Sequence, residues 1–205
     1  MLKVAVLVFH GVEELDFAGP LEVLGQTGVV FTVGPTPEVR ARNGLIIRPE
    51  FTFADAPKPD VLVVPGGPIT RENPDSLATT VAYVRKVAPF CRLVLSVCTG
   101  SFILAMAGQL HNRTCTTHFL RRRLLADKFP NVRVIHGRVV SDGKFISTAG
   151  VAAGIDGALY TVLRLKGMEE ARRVADHIEY PWTDDGVIDA EPYSFWEEGN
   201  QAYAW

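Results

Sequence analysis

The segment LVLSVCTGSFILAMAG, Leu93 to Gly108, sets a cysteine between an apolar run typical of a buried strand and a pattern typical of a helix. A thiol at such a junction is either a nucleophile or a small apolar residue filling a core. Residue type alone favours the core, because free cysteine is among the most buried residue types. Placement favours chemistry. Sites in open α/β sheets lie at the carboxyl ends of strands, where Cys98 falls. A helix N-terminus carries about half a positive charge, so the thiol is expected to ionise more easily than a free one. A sharp strand-to-helix turn, with Gly100 two residues on, has the mechanics of a nucleophile elbow. The N–H of Thr99 and the amides of the Pro65–Gly67 turn are candidate donors to a developing anion. Cys91 and Cys115 have no comparable setting and are assigned structural roles.

A nucleophilic cysteine needs a proton carrier. The first apolar run ends near Phe9, and the turn after it holds Glu13, Glu14 and Asp16 at the same carboxyl edge. Burial and the neighbouring thiolate would raise the pKa of an acid there and keep it able to donate. The commonest use of such acids is an exposed helix start, so the residues alone leave the three open. His118, after Thr116 and Thr117, is the best-placed histidine for a base, but no carboxylate partner is visible in the sequence. His10, His111, His136 and His177 show no ligand spacing, and no metal is expected. The run Arg121 to Arg123 reads as a solvated helix face or an interface pair.

These residues need a scaffold, and apolar runs alternate with helical patterns through most of the chain. KVAVLVF, VVFTVG, DVLVVPGG and LVLSV read as strands covered on both faces. ELDFAGPLEVLGQTG reads as a helix bent or restarted at Pro20, and DSLATTVAYVRKVA as a helix capped by Asp75 or Ser76. THFLRRRLLADKF reads as a helix capped by Thr117. VAAGIDGALYTVLRLKG and MEEARRVADHIEY read as helices separated by Gly167. Asn43-Gly44 marks a hairpin that leaves the sheet, and Asp142-Gly143 marks a turn between short strands. The alternation predicts an α/β layered domain with a mostly parallel sheet and helices on both faces.

The 205 residues are 47% apolar and carry a net charge of −2, enough to bury a core in one domain and with no basic footprint for nucleic acid. No run reaches the roughly 18 apolar residues of a membrane span, the N-terminus lacks a signal-peptide cleavage site, and three cysteines make no disulfide framework. A soluble protein of a reducing cytoplasm is expected. Residues 181–205 hold no Lys or Arg, several acids and many aromatics. They read as a tail lying on its own domain or on a dimer partner, or as a lid.

Four ordered blocks, LDFAGPLEVL, VLVVPGG, SVCTGSFILAMAGQL and CTTHF, resemble the ThiJ/PfpI superfamily, related to class I glutamine amidotransferases, from about Lys3 to Tyr180. The nearest subgroup in resemblance comprises the isonitrile hydratase-like proteins and the amidotransferase-like domains of AraC-type regulators. The resemblance implies a flavodoxin-like three-layer α/β sandwich over residues 1–180, with a strand to nucleophile-elbow to helix turn and a homodimeric assembly. It carries the nucleophile onto Cys98, the acid onto Asp16 and a supporting hydroxyl onto Thr99, and it sets Glu13 and Glu14 aside. Gly66, Gly67 and His118 are expected at the substrate. The implied chemistry is cofactor-free hydration of an isonitrile to an N-substituted formamide. A glyoxalase-like cysteine enzyme and a ligand- or redox-sensing module are the alternatives. AraC-type regulators continue into a DNA-binding domain where this chain has only a short tail, which favours the enzyme.

Overall fold

A computed structural model of the chain describes residues 1–68 and 74–190. Its strands are β1 (Lys3–Leu7), β2 (Val29–Gly34), β3 (Val39–Arg40), β4 (Ile46–Ile47), β5 (Phe51–Thr52), β6 (Val61–Val64), β7 (Leu93–Ser96), β8 (Arg113–Cys115), β9 (Val132–Val134), β10 (Val139–Asp142), β11 (Phe145–Thr148) and β12 (Val187–Asp189). The helices are α1 (Glu14–Gly25), α2 (Ala78–Val87), α3 (Gly100–Met106), α4 (Arg122–Lys128), α5 (Ala153–Lys166) and α6 (Met168–His177).

Eight strands form one sheet in the order β12-β10-β11-β7-β6-β1-β2-β5, and only the β10–β11 pair is antiparallel. Helices cover both faces. On one, α5 packs against α1 and α6; α2 and α3 pack together as a separate pair. This is the α/β layered domain that the alternation predicted and the flavodoxin-like sandwich that the resemblance implied. The central strands β1, β6 and β7 are buried at every position except Lys3, which explains their lack of a polar alternation. β1 pairs with β2 on one side and with β6 on the other. The chain therefore reverses its direction of winding beside β1, and the carboxyl ends of β1, β6 and β7 open onto the crevice that such a reversal leaves.

Most expected elements form where the pattern put them, with three differences. α1 runs unbroken through Pro20. The helix expected from Asp75 opens as a 3-10 turn over Pro74–Leu77, and α2 begins only at Ala78 with no side-chain cap. Thr117 caps nothing: a 3-10 turn over Phe119–Arg121 precedes α4, and its cap is His118, whose Nδ1 accepts the Leu120 N–H at 3.3 Å. The expected Asn43-Gly44 hairpin forms as β3–β4, outside the main sheet. The described part of the tail supplies β12, which pairs in parallel with β10 at the sheet edge. Residues 191–205 of the tail read as an arm or a lid lie outside the described residues. No described helix is long and apolar enough to cross a membrane.

Candidate active site

Cys98 follows β7 and takes a left-handed backbone, φ +56°. That conformation costs a non-glycine residue roughly 1–3 kcal/mol, so the surroundings must impose it. They do so through hydrogen bonds. The Cys98 N–H donates to Ala149 O at 3.2 Å, and the Cys98 carbonyl accepts the hydroxyls of Thr117 at 2.8 Å and Ser101 at 3.4 Å. Val97 N–H donates to Val64 O, and Gly100 N–H closes the turn on Val97 O. Gly100 is obligatory, because a Cβ there would lie 2.0 Å from the carbonyl oxygen of Val64. The sharp turn read from the sequence is therefore present, and its side chain is 6% exposed.

Asp16 reaches the thiol from the first turn of α1. It is wholly buried; its Oδ2 accepts the Gly66 N–H at 3.0 Å, while Oδ1 has no hydrogen-bond partner. The carboxyl and the Cys98 thiol act on each other electrostatically. Burial, reinforced by Glu13, raises the Asp16 pKa to about 7 against the pull of the Gly66 N–H. The thiol is pushed up to about 12, first by burial and then by the Asp16 charge; the N–H and hydroxyl of Thr99 oppose this only in part. The expectation of an acidified thiol is thus overturned. Desolvation and a neighbouring carboxylate outweigh the end of a seven-residue helix.

Thr99 is also fixed more tightly than expected. Its hydroxyl accepts the Gly67 N–H at 2.9 Å and donates to Gly67 O at 3.0 Å, tying the β7 turn to the β6 turn. His118 stands across the site against Gly150, where an added Cβ would lie 2.4 Å from the His118 ring and 2.9 Å from the Cys98 sulfur. Since its Nδ1 accepts the Leu120 N–H, Nε2 carries the proton of the neutral ring.

A cavity of about 260 Å³ opens on this turn and is lined by Glu13, Arg42, Gly67, Pro68, Cys98, Thr99, His118, Leu120, Arg121 and Val151. Asp16 is not among its walls. Three charged residues join the expected ones in the lining: Glu13, Arg42 and Arg121. Glu13, set aside by the resemblance, forms an ion pair with Arg42, which also donates its N–H to Val12 O at 2.9 Å. Asn43 donates through N–H and Nδ2 to the Glu14 carboxylate at 2.7 and 2.8 Å, so both acids pin the β3–β4 hairpin to the loop after β1. The Asn43-Gly44 signal marked the hairpin, but nothing local told that it would turn Arg42 into a wall. Arg121, expected on a solvated face or in an interface pair, lines the cavity too.

The model of the DJ-1/PfpI family matches residues 2–162. The chain belongs to the DJ-1/PfpI family. Its curated relatives include an isonitrile hydratase of Pseudomonas putida, 34% identical over 99% of this chain and 90% of the relative. An HTH-type transcriptional regulator of Pseudomonas aeruginosa is 28% identical over 70% of this chain but only 38% of its own length. Among solved structures, a ThiJ/PfpI family protein from Pseudomonas syringae is 32% identical and superposes with a TM-score of 0.82 over 89% of this chain and 76% of that one.

Proposed function

We propose that this DJ-1/PfpI protein hydrates an isonitrile to an N-substituted formamide through a covalent intermediate on Cys98. The observation that carries the reading is the Cys98–Asp16 pair: a thiol on a strained turn, open to a small cavity, with a nearby buried carboxyl whose one oxygen is unpartnered. The near full-length similarity to an isonitrile hydratase supports the choice of substrate class.

With the thiol at about 12 and the carboxyl at about 7, the ground state at slightly alkaline pH is neutral thiol beside carboxylate. As sulfur attacks the terminal isonitrile carbon, Asp16 accepts the thiol proton and delivers it to that carbon. S–H has then added across the carbon, giving a thioimidate, R–N=CH–S–Cys98. Water attacks the thioimidate carbon, losing one proton to Asp16 while the nitrogen becomes N–H. Collapse of the tetrahedral adduct expels sulfur, which regains its proton from Asp16, and releases R–NH–CHO. One carboxyl serves as base and acid in turn, and no cofactor is consumed. Thr99 holds the Gly67 turn against the site and, with Gly66 supporting Asp16, keeps the pair in register.

Exposed Phe119 and Leu120 beside the cavity support the homodimer expected from the family resemblance. A second reading, a ligand-sensing module, is supported by the regulator similarity. Incubation with cyclohexyl isonitrile distinguishes them: the hydratase reading expects N-cyclohexylformamide from the wild-type chain and none above background from Cys98→Ala. Equal turnover by both proteins, or none by either, ends it.

A further inference from the structure

We propose that the cavity beside Cys98 selects small substrates that carry a carboxylate, and that Arg121 is the residue that recognises it. The inference deepens the isonitrile reading by naming its substrate class, and for that class it rests on that reading.

Among the described residues, the charges on the cavity wall are Glu13, Arg42 and Arg121, beside the His118 ring. Glu13 and Arg42 are paired with each other and offset one another. Among the described residues Arg121 makes no ion pair, and of its five guanidinium donors only Nη1 has an acceptor there, the carbonyl of Leu120 at 3.3 Å. That bond holds the guanidinium at the backbone of Leu120, itself a wall of the same cavity. A planar fork with free donors matches a carboxylate in two-point geometry, which an amide or an ester does not offer. Asp16 is wholly buried and lines no part of the cavity, so it does not compete for the guanidinium.

The rest of the wall sets size and shape. Leu120, Val151 and Pro68 provide an apolar middle, and about 260 Å³ holds only a small molecule. A ligand whose reactive carbon meets the Cys98 sulfur therefore shares this small space with Arg121 and the apolar wall. Within such a small, partly desolvated space a cation attracts an anion more strongly than on open surface.

The test separates anion recognition from isonitrile chemistry. Alkylation of Cys98 by iodoacetate and by iodoacetamide is followed by mass spectrometry, and the rate ratio is normalised to that of N-acetylcysteine at the same pH. The normalised ratio is expected to favour iodoacetate by roughly tenfold, to fall to near one in Arg121→Ala, and to be kept in part by Arg121→Lys. A wild-type ratio near one, a ratio unchanged in Arg121→Ala, or a Cys98 inert to both reagents overturns the proposal. In parallel, kcat/KM is compared for isocyanoacetate and its N-methyl amide, with a matching preference for the acid expected. Turnover of neither isonitrile alongside an intact alkylation ratio upholds the carboxylate site and rejects hydration. Equal turnover of both with a flat ratio upholds hydration and rejects the carboxylate site.

Discussion

Cys98 and Cys115 are buried alike, 6% and 1% exposed, and burial pushes both thiols to about 12. Their surroundings differ. Cys115 ends β8 in regular extended backbone, paired with Val134, and its carbonyl accepts the Ile135 N–H at 2.9 Å. Cys98 stands in a left-handed turn whose backbone makes three hydrogen bonds, to Ala149, Thr117 and Ser101, faces a cavity, and has a buried carboxyl nearby. Thiol acidity therefore does not separate the two. A partner able to take the proton does, and so does an open face where a substrate can stand. The same contrast holds for acids. Asp142 is buried with both oxygens satisfied, by Arg113 at 2.8 Å and by the Thr114 N–H at 2.7 Å. Asp16 is buried with one oxygen unsatisfied.

The largest effect expected is on turnover when the cysteines are exchanged. Cys98→Ala should lower isonitrile kcat/KM by at least roughly 10³-fold, the loss typical of a missing nucleophile. Cys115→Ala should leave kcat/KM within about twofold and lower unfolding free energy by about 1–2 kcal/mol, because it removes only buried volume. Comparable turnover losses in both variants would break the distinction.

Next in size is a pH effect on stability that should belong to Asp16. Its folded pKa of about 7 lies above its unfolded value near 3.8, so the folded state binds the extra proton. Stability is therefore lost as pH rises from about 4 through about 7 and is flat beyond. Between pH 5 and 8 the loss is on the order of 2–3 kcal/mol. Denaturant unfolding at the two pH values should show this difference in the wild-type chain and not in Asp16→Asn, which should be the more stable protein at pH 8 while losing turnover by roughly 10²-fold or more. A pH dependence that persists in Asp16→Asn would assign the raised pKa to another group.

Much of this contrast was legible in the sequence. Continuous apolar runs gave β1, β6 and β7, because strands buried on both faces carry no alternation. The position of Cys98 after such a run, with Gly100 following, announced the turn. Asp16 needed the family resemblance, since residue type could not choose among three acids within four positions. What stayed hidden depended on tertiary folding. The desolvation of the thiol is set by distant residues such as Ala149 and Gly150, and the place of Arg42 by two ion-mediated ties across 29 residues. β12 is too short and too polar to announce itself; its pairing with β10 makes it a strand.

Thr117 gives the finest test, because sequence made it a helix cap and the fold uses it to hold the nucleophile turn. Its hydroxyl donates to the Cys98 carbonyl at 2.8 Å. In Thr117→Val that carbonyl keeps only the longer Ser101 contact at 3.4 Å, so the left-handed turn loses its best restraint without losing all support. The expected cost is about 1 kcal/mol of stability, the usual worth of one hydrogen bond, with a threefold or so fall in kcat/KM as the sulfur moves relative to Asp16. Thr116→Val is the matched control. Its hydroxyl donates at 3.2 Å to the Gly137 carbonyl, away from the turn, so it should cost similar stability and leave kcat/KM unchanged. If both variants lost turnover equally, the effect would be a general loosening of this segment. A loss confined to Thr117→Val would tie the backbone strain at Cys98 to its chemistry.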